Sequence, residues 1–574
     1  MLKPIVRRSN VDDSHLPNSL PPLLKQLYAR RGVMAEQCQT GLAGLLRPDT
    51  LKDLPKAAAI ISDAIEANKL ITIIGDFDAD GATSTSVCML ALRSMGAYKV
   101  NFLIPNRFDY GYGLSPEIVD LAHQQGSELL LTVDNGISSI SGIAHANELA
   151  IPVVVTDHHL AGEELPQAAA IVNPNQPDCP FASKAIAGVG VAFYLMTAIK
   201  AELVRRQWFE KQNITPPNLT FLLDIVALGT VADVVPLDAN NRILVEAGLR
   251  RVRSGQCRPG ITALLDIAKR NPSKVVASDF GFAVGPRLNA AGRLDEMSLG
   301  VELLMCDDMS KARQMAYELD SLNQERRELE AGMQHEAMQK LASLSLHDDD
   351  LPCGLAIYQE DWHQGVIGIL ASRIKDRYHR PVIAFAKAEN GEIKGSARSI
   401  KGLHMRDLLA DINNLAPDLI IKFGGHAMAA GLSLKADAFP RFAELFEQLT
   451  SERLTQAQLT GEIFTDGELP LQLMEMETAN LIRYAGPWGQ EFEEPCFDGQ
   501  FHIIQQRLVG EKHLKLVLES LCGTMMFDAI AFNVDLKRWP DMQAKTVELV
   551  YTLDVNEFRG NQSLQLMVKQ IKAA

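Results

Sequence analysis

The chain has 574 residues, of which 47% are hydrophobic, 22% charged and 6% aromatic, and its formal net charge is -15. That length exceeds what one hydrophobic core normally supports and implies roughly two to four domains, while the composition excludes a mainly disordered or fibrous protein. The acidic balance excludes coating of nucleic acid through bulk charge, so any such contact must be focused in a local basic groove.

Residues 1–50 carry scattered Pro and Arg with weak periodicity and read as a partly helical arm leading into the first core, with no chemistry assigned. From Ala57 to Asn68 the spacing predicts a helix, and Leu70 to Gly75 an apolar strand with glycine at its end. Short apolar runs follow at Val100–Ile104, Leu129–Val133, Val153–Thr156 and Ala169–Val172, suited to parallel strands buried on both faces. Pro217 to Leu237 is apolar and helix-like, and 241–300 reads as helix and loop, closing a domain over 51–300. Within 301–350, Ala312, Met315, Leu319, Leu322, Leu329 and Met333 among many charges give the amphipathic spacing of one long connecting helix. A second α/β unit is expected over 351–455, with a hairpin at Asn390-Gly391. Beyond it, 456–574 contains five alternating strands, at 501–507, 514–518, 529–532, 547–553 and 564–568, which suggest a small β-barrel.

Acids recur where these strands end: Asp76, Asp78 and Asp80, then Asp134, then Asp157-His158-His159, with Asp233 closing the later Gly229-Thr230-Val231-Ala232 segment. Open parallel sheets bind ligands beyond the carboxyl ends of their strands, so these groups can converge. Three carboxylates at i, i+2, i+4 share one face of an extended chain, or fan around a cation in a turn. Either way they repel unless something positive compensates. Oxygen donors suit Mg2+, and a mixed oxygen and imidazole set favours Mn2+. Two such ions about 3.5–4 Å apart suit phosphate-ester hydrolysis. A calcium loop of the EF-hand kind would need Glu at position 12, where Val87 stands. Taken singly, Asp134 before Asn135-Gly136 is a turn former, Asp233 is similar, and adjacent histidines are an ordinary surface pair. It is the ordered combination that is specific.

Asp157-His158-His159 is the DHH signature, and the ordered set resembles the DHH phosphoesterase superfamily. With Gly75–Gly81, Gly229–Leu237 and Gly424–Gly431, the chain resembles, over nearly its whole length, the bacterial RecJ exonucleases, which degrade single-stranded DNA from 5′ to 3′. The resemblance implies an α/β DHH-type parallel-sheet domain, a long connecting helix, a second α/β domain of DHHA1 type and a C-terminal OB-like barrel. It implies that Asp76, Asp78, Asp80, Asp134, His158 and Asp233 hold two Mg2+ or Mn2+ ions, with a metal-activated water as nucleophile. His159 would face the scissile phosphate, and Asp157 would orient the histidines.

Gly424, Gly425 and His426 are candidate phosphate binders, Ser396 with Arg398 are either a phosphate contact or an exposed hairpin edge, and Arg107, Arg287 and Arg293 are further candidates. Two basic runs, Arg250-Arg251-Arg253-Arg258 and Arg373-Lys375-Arg377-Arg380, are either a strand-binding groove or solvated helix faces. In the barrel, Phe501, Phe532 and Phe558 are possible base stackers beside Arg507, Lys512, Lys515 and Arg559, or simply core. Rival readings are another DHH phosphoesterase acting on short RNA or cyclic dinucleotides, and a replication scaffold that binds without cutting; the full ligand set favours the exonuclease. The resemblance implies single-strand binding protein and a helicase as partners, and roles in recombination, mismatch repair and base excision repair, with a monomer as the default. Eight cysteines without a C-x-x-C pair fit a reducing cytoplasm, and no run approaches the ~18 apolar residues of a membrane span.

Overall fold

In the computed structural model, which describes residues 2–106, 113–343, 351–558 and 560–574, the chain passes repeatedly between two units. The smaller comprises 1–7 with 324–465, and the larger 8–323 with 466–574. Strand β1 (Ile5–Arg7) belongs to the smaller unit, and helix α1 (Pro22–Ala29) to the larger.

The larger unit is organised on five parallel strands, β2 (Ile71–Ile74), β3 (Val100–Leu103), β4 (Leu129–Val133), β5 (Val153–Thr156) and β6 (Ala170–Val172), in the order β3-β2-β4-β5-β6. β2, β4, β5 and β6 are buried along their whole length, as their Ile-, Leu- and Val-rich runs require of a sheet covered on both faces. From β2 the chain crosses to β3 on one side and then to β4 on the other, so the strand order switches between β2 and β4. Such a switch opens a crevice at the strand ends. Helices α2 (Ala79–Ser94), α3 (Gly188–Arg205) and α4 (Leu223–Ala232) share one core through Val87, Leu92, Val191, Leu195, Ile225 and Leu228. The small residues of α2, from Ala79 through Cys88, are all buried among them. Helix α5 (Gly285–Leu294) follows a π-helical turn, and α6 (Met309–Ser343) is the expected long helix.

The smaller unit contains a five-stranded sheet in the order β10-β11-β9-β8-β7: β7 (Leu355–Gln359), β8 (Val382–Lys387), β9 (Glu392–Arg398), β10 (Lys422–Gly425) and β11 (Ala429–Lys435). Only β7 and β8 pair in parallel, with α7 (Ile367–Tyr378) as their crossover. The expected hairpin at Asn390-Gly391 is present, and both residues have positive φ, at 54° and 73°. Phe385, Phe442 and Phe446 fill the core. In the same unit β1 pairs in parallel with β12 (Ile463–Thr465).

After α8 (Met476–Ala485) come β13 (Phe497–Val509), β14 (His513–Ser520), β15 (Met526–Ala531), β16 (Thr546–Phe558) and β17 (Asn561–Ala573), which close into a barrel in the order β13-β14-β15-β17-β16. These are longer strands than the apolar alternation outlines. Their core includes Leu24 and Leu27 of α1, while Ala29 and Val33 join the core of the parallel-sheet domain. Arg31 just beyond α1 donates two hydrogen bonds to Asp466, at 3.0 and 2.9 Å, with the two side chains only 2% and 1% exposed. The N-terminal segment thus ties the barrel to the sheet domain. Phe501 is barrel core, which rules it out as a base stacker, whereas Phe532 is half exposed. The Phe558 side chain and Arg559 lie outside the described residues.

Candidate metal centre

The chain leaves β2 at Ile74 and turns through Gly75, Asp76 and Phe77 into α2. Asp78 caps that helix, its Oδ1 accepting hydrogen bonds from the amides of Asp80 (2.9 Å) and Gly81 (3.0 Å). Asp80 lies in the first turn. Its two oxygens accept from the amides of Gly188 (2.6 Å) and Val189 (2.9 Å) at the start of α3, where the unsatisfied N–H groups and the helix dipole favour an anion. The three acids are therefore fanned by a helix start rather than arrayed along an extended strand. Asp134 is the first residue after β4 and has φ of 61°, a left-handed conformation that Asp tolerates. Asn135 behind it donates to the carbonyls of Ile74 (3.0 Å) and Val133 (2.9 Å), joining the ends of β2 and β4. After β5, the Oδ1 of buried Asp157 accepts from the amides of His158 and His159 and lies 2.7 Å from the His159 Nδ1, while its Oδ2 accepts from Ile137. Asp233 follows α4 directly.

These turns bring the acids and histidines together. His158 Nε2 lies 3.1 Å from Asp134, 3.4 Å from Asp233 and 3.9 Å from Asp80. Among the described residues, three triads have ligand atoms all within 4.8 Å of one another: Asp134 with His158 and His159, Asp80 with His158 and Asp233, and Asp76 with Asp78 and Asp134. Asp134 and His158 each belong to two of them.

Burial, with the neighbouring acids, holds the carboxyl groups of Asp134 and Asp233 well above the usual range. Asp80 is pushed up to about 7 by burial and by Asp78, although the α3 amides oppose this. Burial would also raise Asp157, but its hydrogen bond with His159, the two histidine charges and the Ile137 amide together hold it below the usual range. Burial depresses His159, yet the hydrogen bond and charge of Asp157, with Asp76 and Asp78, lift it to about 9. Such a crowd of acids calls for more positive charge than His159 supplies. With five carboxylates and two imidazoles in overlapping triads, the residues present fit hard divalent ions.

Several supporting residues carry no motif signal. Asn173 and Asn175 donate to the carbonyls of His159 (3.0 Å) and His158 (2.6 Å), and the Gly188-Val189 amides hold Asp80. An Asn-Pro-Asn turn after a strand and a glycine opening an apolar helix were the only hints.

The expected phosphate binders fall in both units. Arg107 lies outside the described residues. Arg287 donates to Asp320 (2.8 Å) and to the Ala283 carbonyl (2.6 Å), while Arg293 lies in the last turn of α5. In the smaller unit Ser396 and Arg398 share a face of β9 and are joined by an Arg398 Nη1 to Ser396 Oγ hydrogen bond of 3.1 Å, opposite Gly368 in the first turn of α7. Burial lowers the Arg398 pKa. Gly424 and Gly425 end β10, and His426 opens the tight connection to β11, its amide donating to Ala429 (2.7 Å). Gly425 has φ of 137°, which a side chain would not tolerate. The basic runs are largely structural. Arg250 pairs with Glu246, Arg253 donates to the Val275 carbonyl, Arg258 holds the carbonyls ending the helix at Ser298–Met305, Arg373 pairs with Glu330, and Arg380 donates to the Leu459 carbonyl.

The family models follow the same architecture: the DHH family N-terminal domain matches residues 70–230, the DHHA1 domain 352–452 and the RecJ OB domain 465–570. The single-stranded-DNA-specific exonuclease RecJ of Salmonella typhimurium is 57% identical over 568 residues, spanning 99% of this chain and 98% of that protein. The chain belongs to the RecJ family. RecJ of Thermus thermophilus in complex with Mn2+ superposes with a TM-score of 0.80 at 28% identity, covering 99% of this chain and 79% of that one. Its complex with Mg2+ gives a TM-score of 0.74 at 26% identity. The DHH-type sheet, the DHHA1-type unit and the OB barrel of a RecJ are all present here, and no helix among the described residues is long and apolar enough to cross a membrane.

Proposed function

We propose that this chain is a single-stranded-DNA-specific 5′ to 3′ exonuclease that releases 5′-mononucleotides by two-metal hydrolysis. The observation that carries this reading is the convergence of Asp80, Asp134 and Asp233 on one imidazole nitrogen of His158, in a chain of RecJ architecture. Asp76, Asp78, Asp80, Asp134, His158 and Asp233 would hold two divalent ions, Mg2+ or Mn2+, and RecJ of Thermus thermophilus has been solved in complex with each of these metals. When bound, such ions activate water and stabilise the leaving oxygen.

The chain's own residues hold and orient the rest. Asp157 fixes the His159 ring through Nδ1, so that the imidazole presents its other edge to the scissile phosphate as charge stabiliser or proton donor. Ser396, Arg398, Gly424, Gly425 and His426, with Arg287, Arg293 and Arg107, supply phosphate-binding groups, and capture of a terminal 5′-phosphate would set the polarity. The protein acts as a cytoplasmic monomer in recombination, mismatch repair and base excision repair, alongside single-strand binding protein and a helicase.

The test is a 5′-phosphorylated single strand labelled at its 3′ end, incubated with Mn2+ or Mg2+ and in parallel with EDTA. Metal-dependent labelled fragments that shorten progressively, with the matching duplex spared, are expected. An intact strand that is nevertheless bound would overturn the exonuclease reading in favour of a scaffold.

A further inference from the structure

The segment Gly285–Arg293 supplies two candidate phosphate arginines, and two further residues of it, Asn289 and Gly292, touch the Asp76–Asp80 loop. Asn289 on α5 accepts, at its Oδ1, a 2.9 Å hydrogen bond from the amide of Ala79, the residue between Asp78 and Asp80. One turn on, Gly292 packs so closely on the Phe77 carbonyl that a Cβ there would collide with the oxygen. We infer that Asn289 is a positioning residue for the metal centre, holding the Asp76–Asp80 loop in its ligand-ready form. This rests on the metal-site reading of those acids.

A helix start leaves its first amides without intrahelical partners. In α2 the Asp78 side chain takes those of Asp80 and Gly81, the Ala82 amide donates to the Asp78 carbonyl, and Asn289 takes that of Ala79. The Ala79, Asp80 and Gly81 amides at the start of α2 are thereby all spent on protein acceptors. They serve to fix two acids of the loop, not to bind phosphate. The support arrives from 210 residues away, so the backbone between Asp78 and Asp80 is set by a separate helix as well as by its own turn. Asp78, still capping α2, and Asp80, held on α3, then face the crevice with little freedom left to lose on metal binding. Residues that orient ligands from behind typically account for about 10–100-fold in metal affinity.

The full-length protein and its Asn289→Ala and Asn289→Asp variants would be titrated with Mn2+ by calorimetry, with thermal melts recorded in EDTA. Asn289→Ala is expected to weaken Mn2+ binding about 10–100-fold at a near-unchanged melt, and Asn289→Asp, which keeps an acceptor of the same size, to recover most of the affinity. Wild-type isotherms from Asn289→Ala would overturn the proposal, as would equal losses in both variants or a loss of affinity that only mirrors a lost fold. If wild type itself binds no Mn2+, the metal-site reading fails instead.

Discussion

Asp134 shows how much one residue is asked to do. It follows a strand in a left-handed conformation, stands 3.1 Å from His158, and belongs to two ligand triads. Asn tolerates the same backbone conformation, so Asp134→Asn tests the carboxylate alone. Hydrolysis is expected to fall to background. The melting temperature in EDTA should hold or rise, because the substitution removes one acid from a buried crowd that repels itself. Turnover measured beside calorimetric melts checks both halves, and retained turnover would sink the two-metal assignment. Asp134 and the histidines were legible in the sequence because each ends an apolar run. The grip of α3 on Asp80 was not, since it joins residues 108 apart in sequence and uses only backbone donors, which every residue type except proline supplies. The arginine clusters were equally ambiguous: charge is visible in a sequence, whereas the carbonyls that Arg253, Arg258 and Arg380 hold are not.

At the level of elements, helix–loop contacts limit what can change. Gly292→Val places a branched side chain against the Phe77 carbonyl, so α5 or the metal loop must shift. Overpacking of this kind costs about 1–3 kcal/mol, and activity should fall further than stability does; single-turnover rates compared with denaturant midpoints would show the difference. The parallel sheet, the long helix and the barrel could be read from strand spacing and helical periodicity, since burial on one or two faces writes itself into residue order. The docking of α1 could not. Leu24 and Leu27 look like any helical pair, and Asp466 like any loop acid, until the fold sets Arg31 beside it. Asp466→Ala leaves a buried guanidinium without its carboxylate, and urea denaturation should register a loss of about 3–5 kcal/mol. A loss below ~1 kcal/mol, the range of an exposed pair, would contradict that burial.

At the scale of the molecule, the barrel differs from a detachable module. A chain ending at Thr465 would uncover Leu24 and Leu27 and remove the partner of Arg31, although the family models draw the OB domain as a separate block. Such a chain is expected to aggregate or lose its near-ultraviolet dichroism, and size-exclusion chromatography would detect it. If it stayed monomeric and native-like, the shared core would be dispensable. The pairing of Ile5–Arg7 with Ile463–Thr465 carries a different consequence, one of timing. On the ribosome, the partner strand of β1 is made some 458 residues after it (463 minus 5). At about 5–20 residues per second that is a wait of roughly 20–90 s, during which a short strand edge stays open to wrong partners. The smaller unit can close only once synthesis has passed Thr465, and the larger only once the barrel is complete, so nascent chains should stay protease-sensitive in both units until those segments are made.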